Sequence, residues 1–144
     1  MVEQSDQPEF PSSAPLFQGL SPEMIERLRV DGQAKPLVED QILFEEGDGG
    51  EGLYLIVHGT MRVFKRGRLI ARRGAGDCLG EMAIIDAGPR TATARAETDC
   101  LLLHWPGDTI LLAMQESPQL LQNMSHIMAN RLHQELYERL KSLR

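Results

Sequence analysis

Two side chains nine residues apart, Glu81 and Arg90, could together bind a molecule that carries hydroxyl and phosphate groups. A glutamate offers acceptor oxygens to a sugar hydroxyl, and an arginine offers a planar fork of donors to a phosphate. Gly80 precedes the glutamate and has no Cβ, so a ligand can approach the backbone closely there. The stretch 80–93 could therefore hold a ribose and a phosphate at the same time.

The residues around this pair predict how it is positioned. Residues 81–85 read as one or two turns of helix, and the first N–H groups of a helix have no partner within it and suit an anion. Gly88 and Pro89 then turn the chain, and Arg90 follows at the head of an alternating, strand-like run. A short helix and the start of a strand would thus carry the two side chains.

Each side chain also has an ordinary structural explanation. A glutamate in the first turn of a helix, such as Glu81, often only stabilises the helix dipole. An arginine that follows a Gly-Pro turn, such as Arg90, is often a solvated surface residue, here with Asp86 as an available partner. Taken singly, either residue is weak evidence for a binding site.

The composition limits the classes of protein to which such a site can belong. The chain has 144 residues, of which 42% are hydrophobic and 25% are charged, as in one globular domain. Its net charge of −6 argues against a nucleic-acid-binding surface. There is no signal peptide and no apolar run of ~18 residues, the length of a membrane span. Cys78 and Cys100 fit no metal spacing and no disulfide framework, which favours a reducing cytosol.

The first 32 residues are predicted to form a leader and a helical lead-in. Residues 1–14 are polar and interrupted by proline, which predicts a disordered leader. Residues 15–32 predict the lead-in, in which Ser21 is an N-cap and Pro22 occupies the first helical position. The domain itself is expected to run from residue 15 to residue 144.

Residues 33–105 have the texture of short strands separated by glycine-containing turns. The candidate strands are residues 38–44, 53–57, 60–65, 69–72, 90–97 and 100–105. Turn residues recur at intervals typical of an antiparallel barrel or jelly roll. The region is therefore predicted to be a β-roll, and the chain to be mostly β.

Residues 106–144 are predicted to be helical. Residues 109–115 favour a short helix, and Ser117-Pro118 begins a second one of about 26 residues by its spacing. Apolar side chains recur on that helix at three- and four-residue intervals, at Leu121, Met124, Met128, Leu132, Leu136 and Leu140. The first turns are expected to pack on the domain, and the later turns are free to meet a partner helix.

Two sequence strings, residues 80–84 (GEMAI) and 89–93 (PRTAT), closely resemble the phosphate-binding cassette of cyclic nucleotide-binding domains. This family includes the catabolite activator protein, the regulatory subunit of protein kinase A and nucleotide-gated channels. Residues 15–23 and 45–64 also resemble its helical lead-in and the glycine pattern of its β-roll. The resemblance covers roughly residues 16–144. It implies an eight-stranded antiparallel β-roll with an N-terminal helix, a short cassette helix and C-terminal helices.

The resemblance implies roles for the residues of the cassette. Glu81 would accept a hydrogen bond from the ribose 2′-hydroxyl, and Arg90 would pair with the cyclic phosphate. Backbone N–H groups would complete the phosphate cradle at Met82, Ala83, Thr91 and Ala92, with Gly80 allowing close approach. A hydroxyl at position 91 resembles members that accept cGMP, and the preference between cAMP and cGMP stays open.

The resemblance also implies how binding would become a signal. Apolar side chains of the last helix would cover the base, and the candidates are Met124, Met128 and Leu132. Ile84 and Ile85 would pack toward the hinge between the roll and that helix, and ligand would order the chain from about Met124 onward. Arg73 stands where many relatives carry an apolar residue, so the closure of the base pocket could differ here.

The implied function is a cytoplasmic regulatory domain, or the cytosolic module of a larger protein, that senses cAMP or cGMP and is not an enzyme. No metal or cofactor is expected, because His58, His104, His126 and His133 form no metal-ligand cluster of the kind found in cupin enzymes. The expected partners are the nucleotide, a second copy through the C-terminal helix and an effector outside this sequence, without nucleic acid or membrane. The alternative is an interaction module that kept the fold and lost the ligand.

Overall fold

A computed structural model of the chain describes residues 10–86 and 88–143, except for the side chains at 83, 85 and 86. A short 3-10 turn at Pro15–Phe17 leads into the regular elements. In chain order these are α1 (Pro22–Asp31), β1 (Gln33–Leu37), β2 (Ile42–Phe44), β3 (Leu53–His58), β4 (Met61–Lys65), β5 (Arg68–Arg73), β6 (Cys78–Leu79), α2 (Glu81–Asp86), β7 (Thr93–Ala96), β8 (Cys100–Trp105), α3 (Gly107–Glu116) and α4 (Pro118–Lys141).

Eight antiparallel strands form two sheets of four, in the orders β1-β8-β3-β6 and β2-β7-β4-β5. The first sheet lies in the middle of the molecule, with the helices on one face and the second sheet on the other. Along β3, Leu55 faces the helices and Ile56 faces the second sheet, and both are fully buried. Burial on both faces explains why β3 and β8 read as continuous apolar runs. The predicted β-roll with flanking helices is confirmed.

Two strands escaped the sequence prediction, and two predicted strands were too long. β1 is a largely exposed strand that contains Pro36 and pairs only with β8, and proline is tolerated at such a sheet edge. β6 has two residues, too few to show a pattern. Residues 38–41 form a turn before β2, with Asp40 at φ 72°, and the strand predicted for 90–97 begins only at Thr93.

The two serine-proline signals begin helices as predicted. The Ser21 hydroxyl accepts the N–H of Met24 at 3.1 Å, and the Ser117 hydroxyl accepts the N–H of Leu120 at 3.2 Å. α4 has 24 residues, close to the predicted length. Within the described residues, no helix has both the length and the apolar character needed to cross a bilayer.

The start of α4 is fastened to the beginning of the chain. The buried side chain of Asn123 donates through Nδ2 to the carbonyls of Leu16 at 2.9 Å and Gln18 at 2.8 Å. Leu120 and Met124, on the same side of the helix, are buried in the core beneath the first sheet. The first two turns of α4 are therefore fixed relative to the roll.

Part of the predicted disordered leader is packed in the structure. Residues 1–9 lie outside the described part of the chain, but the ring of Phe10 stacks on that of Phe17 with centroids 4.8 Å apart. Ala14 is buried in the same core. The packed chain therefore begins at least as early as Phe10, since these apolar residues cover the end of the core.

Candidate functional site

A cavity of about 770 Å³ opens between the second sheet, α2 and the later turns of α4. Seven of the nine side chains or backbone positions predicted for the site line it: Gly80, Glu81, Met82, Arg90, Thr91, Ala92 and Leu132. The side chain of Ala83 lies outside the described part of the chain. The remaining residue, Met128, packs elsewhere.

Arg90 forms one end of this cavity, called here the Arg90 end. Its backbone is clamped to the turn after β2, because its N–H donates to the carbonyl of Asp48 at 2.7 Å and its carbonyl accepts the N–H of Gly47 at 2.8 Å. The side chain is only 5% exposed. Nη2 donates to the carbonyl of Glu51 at 3.1 Å, and Nη1 reaches the carbonyl of Gly52 at 3.3 Å.

The charge of the Arg90 guanidinium is only partly compensated within the described residues, by the carboxylates of Glu51, Glu81 and Asp48, which act on it from beyond ion-pair distance. Its Nε is buried and has no hydrogen-bond partner, and no carboxylate among the described residues forms an ion pair with it. Burial is the main cause that lowers the pKa of Arg90, although an arginine stays charged under all ordinary conditions. A buried donor without a partner costs about 1–3 kcal/mol, more for a charged group. An anion in the cavity would remove that cost.

Aromatic rings hold the Arg90 guanidinium in a defined plane. Its Cζ lies 4.2 Å from the centroid of the Phe44 ring and 5.8 Å from that of Tyr54. The Tyr54 ring itself packs against the His104 ring, with centroids 4.5 Å apart and an angle of 30° between the planes. Because the rings of β2 and β3 contact the fork, its direction is set before any ligand arrives.

Two positions beside this arginine, Gly80 and Gly52, have positive φ and no room for a Cβ. Gly80 has φ 81°, and a Cβ there would collide with Nη1 of Arg90. Gly52 has φ 89°, and a Cβ there would collide with the backbone carbonyl of Trp105. The sequence indicated Gly80 as part of the site but gave no sign that the carbonyls of Glu51 and Gly52 would support Arg90.

Glu81 forms the other end of the cavity, called here the Glu81 end. Its carboxylate makes an ion pair with Arg131 of α4 at 2.5 Å, and the two side chains are 10% and 16% exposed. Arg131 was not among the predicted site residues. The only available signal was its position one residue before Leu132 on the last helix, which is too weak to identify a contact across the fold.

A second ion pair joins the same face of α4 to the roll. Nζ of Lys65 lies 2.7 Å from Oε1 of Glu135, one helical turn after Arg131. This pair is about half exposed, whereas the Glu81–Arg131 pair is largely buried. The later turns of α4 therefore cover the cavity with a polar face.

Two of the three residues predicted as the apolar cover of the base lie outside the cavity. Met124 is 2% exposed and belongs to the core beneath the first sheet, and Met128 packs against that core. Only Leu132 lines the cavity, and it is 57% exposed. Met124 and Met128 are four residues apart and follow Leu120 along one helical face, so they continue its contact with the core.

The cavity concentrates positive charge in a chain whose net charge is −6. Seven basic residues line it, namely Lys65, Arg66, Arg68, Arg73, Arg90, Arg131 and Arg139, against three glutamates. In the portion of the chain that the structure describes, no three His, Cys, Asp or Glu side chains are grouped so as to hold a metal ion. The basic lining of the cavity suits an anionic ligand.

Comparison with known proteins gives a consistent picture. Residues 34–117 match the family model described as the cyclic nucleotide-binding domain. The cyclic AMP receptor protein of Thermus thermophilus is 32% identical over 126 residues, which cover 84% of this chain and 58% of that protein. A CRP-like cAMP-activated global transcriptional regulator of Mycobacterium tuberculosis is 30% identical over 129 residues, which cover 86% and 58%.

The solved structures agree with the sequence relatives. The crystal structure of the Thermus thermophilus catabolite activator protein superposes with a TM-score of 0.80 at 32% identity, covering 90% of this chain and 63% of that one. The chain thus spans 58% of the length of the two bacterial relatives. Since one of them is a transcriptional regulator by name, the expectation of no nucleic-acid partner does not extend to a longer protein that contains this chain.

Proposed function

The chain belongs to the cyclic nucleotide-binding domain family, a family of ligand-sensing domains that are not enzymes, and we propose that it senses cAMP, with cGMP as the second candidate. The observation that carries this proposal is the buried Arg90 guanidinium, whose Nε has no partner at the wall of a basic cavity. Both bacterial relatives are named for cAMP, which supports testing that ligand first.

The Arg90 end is proposed to hold the cyclic phosphate. This group is an anion with two free oxygens, which matches the planar fork of an arginine. The carbonyls now contacted by Nη1 lie 3.3 and 3.5 Å away, long for hydrogen bonds from nitrogen, so a phosphate oxygen can compete for that donor. The N–H groups of Met82, Ala83, Thr91 and Ala92 are proposed to complete the cradle.

The Glu81 end is proposed to hold the ribose. A carboxylate has two oxygens and room for several hydrogen bonds, so Glu81 can accept the 2′-hydroxyl while it remains paired with Arg131. The base then extends toward α4, where Leu132 offers an apolar contact. The nucleotide would therefore touch the cassette and α4 at the same time.

The proposed signal is a change in the later turns of α4. The first turns are fixed by Asn123, whereas the later ones contact the roll through the ion pairs of Arg131 and Glu135. A nucleotide between the cassette and α4 adds contacts only to the later turns. The nucleotide can shift the equilibrium between two positions of these turns only as far as its affinities for the two positions differ.

The same part of α4 is the proposed route to a partner. Exposed apolar side chains follow one another along it at Leu132, Leu136, Tyr137 and Leu140, and Leu143 comes just after its end. We propose that they mediate a homodimer and pass the signal to an effector in the cytosol. The same surface also suits the second candidate function, an interaction module without a ligand. That function is favoured by the ion pair of Glu81, whose carboxylate already has a counter-ion.

Calorimetry with cAMP and cGMP distinguishes the two candidate functions. Saturable binding of cAMP or cGMP to the purified chain is expected, together with a rise in its melting temperature. The absence of both heat and thermal shift at millimolar nucleotide would contradict the sensing function. Dimerisation measured by sedimentation under those same conditions would then support the interaction module.

A further inference from the structure

A second, smaller cavity of about 190 Å³ lies behind the first, between α4 and the turn that joins β5 to β6. Its wall includes Gly76 and Asp77 of that turn and Asn130 of α4. The volume is below the ~300–1,000 Å³ of pockets that take drug-sized ligands. Only a compact ligand fits there.

Two arginines, Arg73 and Arg131, stand between the two cavities and line both of them. Arg131 is paired with Glu81 on the side of the larger cavity. Arg73 is the last residue of β5, and its side chain makes no hydrogen bond or ion pair with any residue in the described ranges. Its half-buried guanidinium therefore has donors to spare.

The two guanidinium groups are close enough to repel each other. Burial is the largest cause that lowers the pKa of Arg73, and the positive charge of Arg131 lowers it further, while Glu81 and Asp77 oppose both effects. Asp77 is already engaged, because its carboxylate accepts the N–H of Gly74 at 2.9 Å. Since Glu81 pairs with Arg131 and Asp77 is engaged by the backbone, the Arg73 guanidinium is the cation of this pocket that has no ion-pair partner among the described residues.

The other groups around the small cavity are neutral. Asn130 and Gln134 are four residues apart on α4, so their amides share one face and can donate hydrogen bonds. Burial raises the pKa of the Cys78 thiol to about 12, so this side chain stays uncharged and adds no negative charge. The pocket is therefore rich in hydrogen-bond donors, and two arginines and one aspartate line it.

We propose that this small cavity is a second anion site, which binds a compact oxyanion such as phosphate between Arg73 and Arg131. Both arginine forks line this cavity and can donate hydrogen bonds to such an anion, and the amides of Asn130 and Gln134 can complete its shell. The anion neutralises the repulsion between the guanidinium groups. Because the chain as a whole has a net charge of −6, it does not attract anions in general. The attraction is therefore local to this cavity.

The test is a titration of the whole chain with inorganic phosphate, followed by amide chemical shifts in NMR spectra. Chloride keeps the ionic strength constant. We expect saturable shifts centred on residues 74–78 and 127–134. Arg73→Met should weaken phosphate binding about tenfold, the effect of losing a charge-assisted hydrogen bond. Arg73→Lys keeps the charge without the fork and should lie between that variant and the wild type.

Arg72→Met is the matched control, because Arg72 precedes Arg73 on the same strand, lines neither cavity and pairs with Glu97 at 2.8 Å. Its phosphate affinity should equal that of the wild type. Arg90→Met should also keep the shifts at 74–78. Shifts that centre on residues 80–92 and vanish in Arg90→Met would overturn the proposal, as would equal affinities of the Arg73→Met and Arg72→Met chains. Neither readout depends on cyclic nucleotide binding.

Discussion

The two ends of the large cavity are held by different kinds of contact. At the Arg90 end, backbone carbonyls, the ring of Phe44 and a positive-φ glycine fix the guanidinium with residues of the roll alone. At the Glu81 end, the carboxylate is held by Arg131, fifty residues further along the chain, on α4. One end is part of the roll, and the other is shared with the element proposed to move.

We propose that this difference separates ligand recognition from the response of α4. A binding group that is fixed in advance loses little entropy when a ligand arrives, so the Arg90 end is suited to affinity. A group whose partner lies on a second element changes its contacts when that element moves, so the Glu81 end is suited to signalling. Variants at the two ends should therefore affect different measurements.

The largest effect is expected at the Arg90 end. Arg90→Lys keeps the charge but loses the planar fork, so the affinity for cAMP should fall by about 1–3 kcal/mol. The measurement is the dissociation constant by calorimetry. Arg95→Lys is the control, since Arg95 is a half-exposed residue of β7 that lies 3.8 Å from Asp40 and does not line the cavity. Equal dissociation constants for Arg90→Lys and the wild type would show that Arg90 does not hold the phosphate.

A glycine variant tests whether this end is fixed in advance. Gly80→Ala places a methyl group against Nη1 of Arg90 and should weaken cAMP binding about tenfold, or ~1.4 kcal/mol. Gly67→Ala is matched to it, with φ 78° but no atom within 4 Å of the added Cβ. Both variants should lose stability from backbone strain, about 1–2 kcal/mol. If both lose affinity equally, the clash with Arg90 is irrelevant.

The short cassette and the helix starts were predictable because their signals are local. Gly80, Glu81 and Arg90 lie within eleven residues, and the Ser-Pro pairs cap helices through neighbours three residues away. Central strands that are buried on both faces can also be recognised in the sequence as apolar runs. The sequence therefore indicated most of the roll and the two side chains, Arg90 and Glu81, that define the ends of the cavity.

The features that the sequence did not predict depend on contacts that form only in the folded chain. Arg131 contacts Glu81 because α4 lies across the large cavity, and no local sequence pattern encodes that arrangement. Met124 of α4 was predicted to cover the base, but its side chain is buried in the core beneath the first sheet. The carbonyl of Gly52 supports Arg90 through the backbone, which carries no side-chain signature.

At the Glu81 end, a smaller and more selective effect is expected. Glu81→Gln should weaken cAMP binding by about 1 kcal/mol more than 2′-deoxy-cAMP binding, because only cAMP has the 2′-hydroxyl proposed to donate a hydrogen bond to Glu81. Comparing the two ligands cancels the loss of the Arg131 ion pair, which affects both. Glu135→Gln removes another carboxylate from the same wall and should change both affinities equally. Equal losses of both ligands in Glu81→Gln would assign Glu81 to helix support.

The smallest effect is expected at the exposed ion pair. Lys65→Gln removes the contact with Glu135 and should lower the free energy of unfolding by only about 0.2–1 kcal/mol, because exposed pairs are screened by water and salt. Arg131→Gln should cost more, since it leaves Glu81 largely buried without a counter-ion. Denaturant unfolding of both variants is the measurement. A larger loss in Lys65→Gln would reverse the importance assigned to the two contacts.

The central claim is that the nucleotide joins a prebuilt Arg90 end to the later turns of α4. Hydrogen exchange of the whole chain with and without saturating cAMP tests it directly. We predict slower exchange at residues 80–92 and at residues 129–141, with little change at residues 118–124, which the core already fixes. Equal exchange rates with and without nucleotide at residues 129–141, under conditions where binding is complete, would contradict the account.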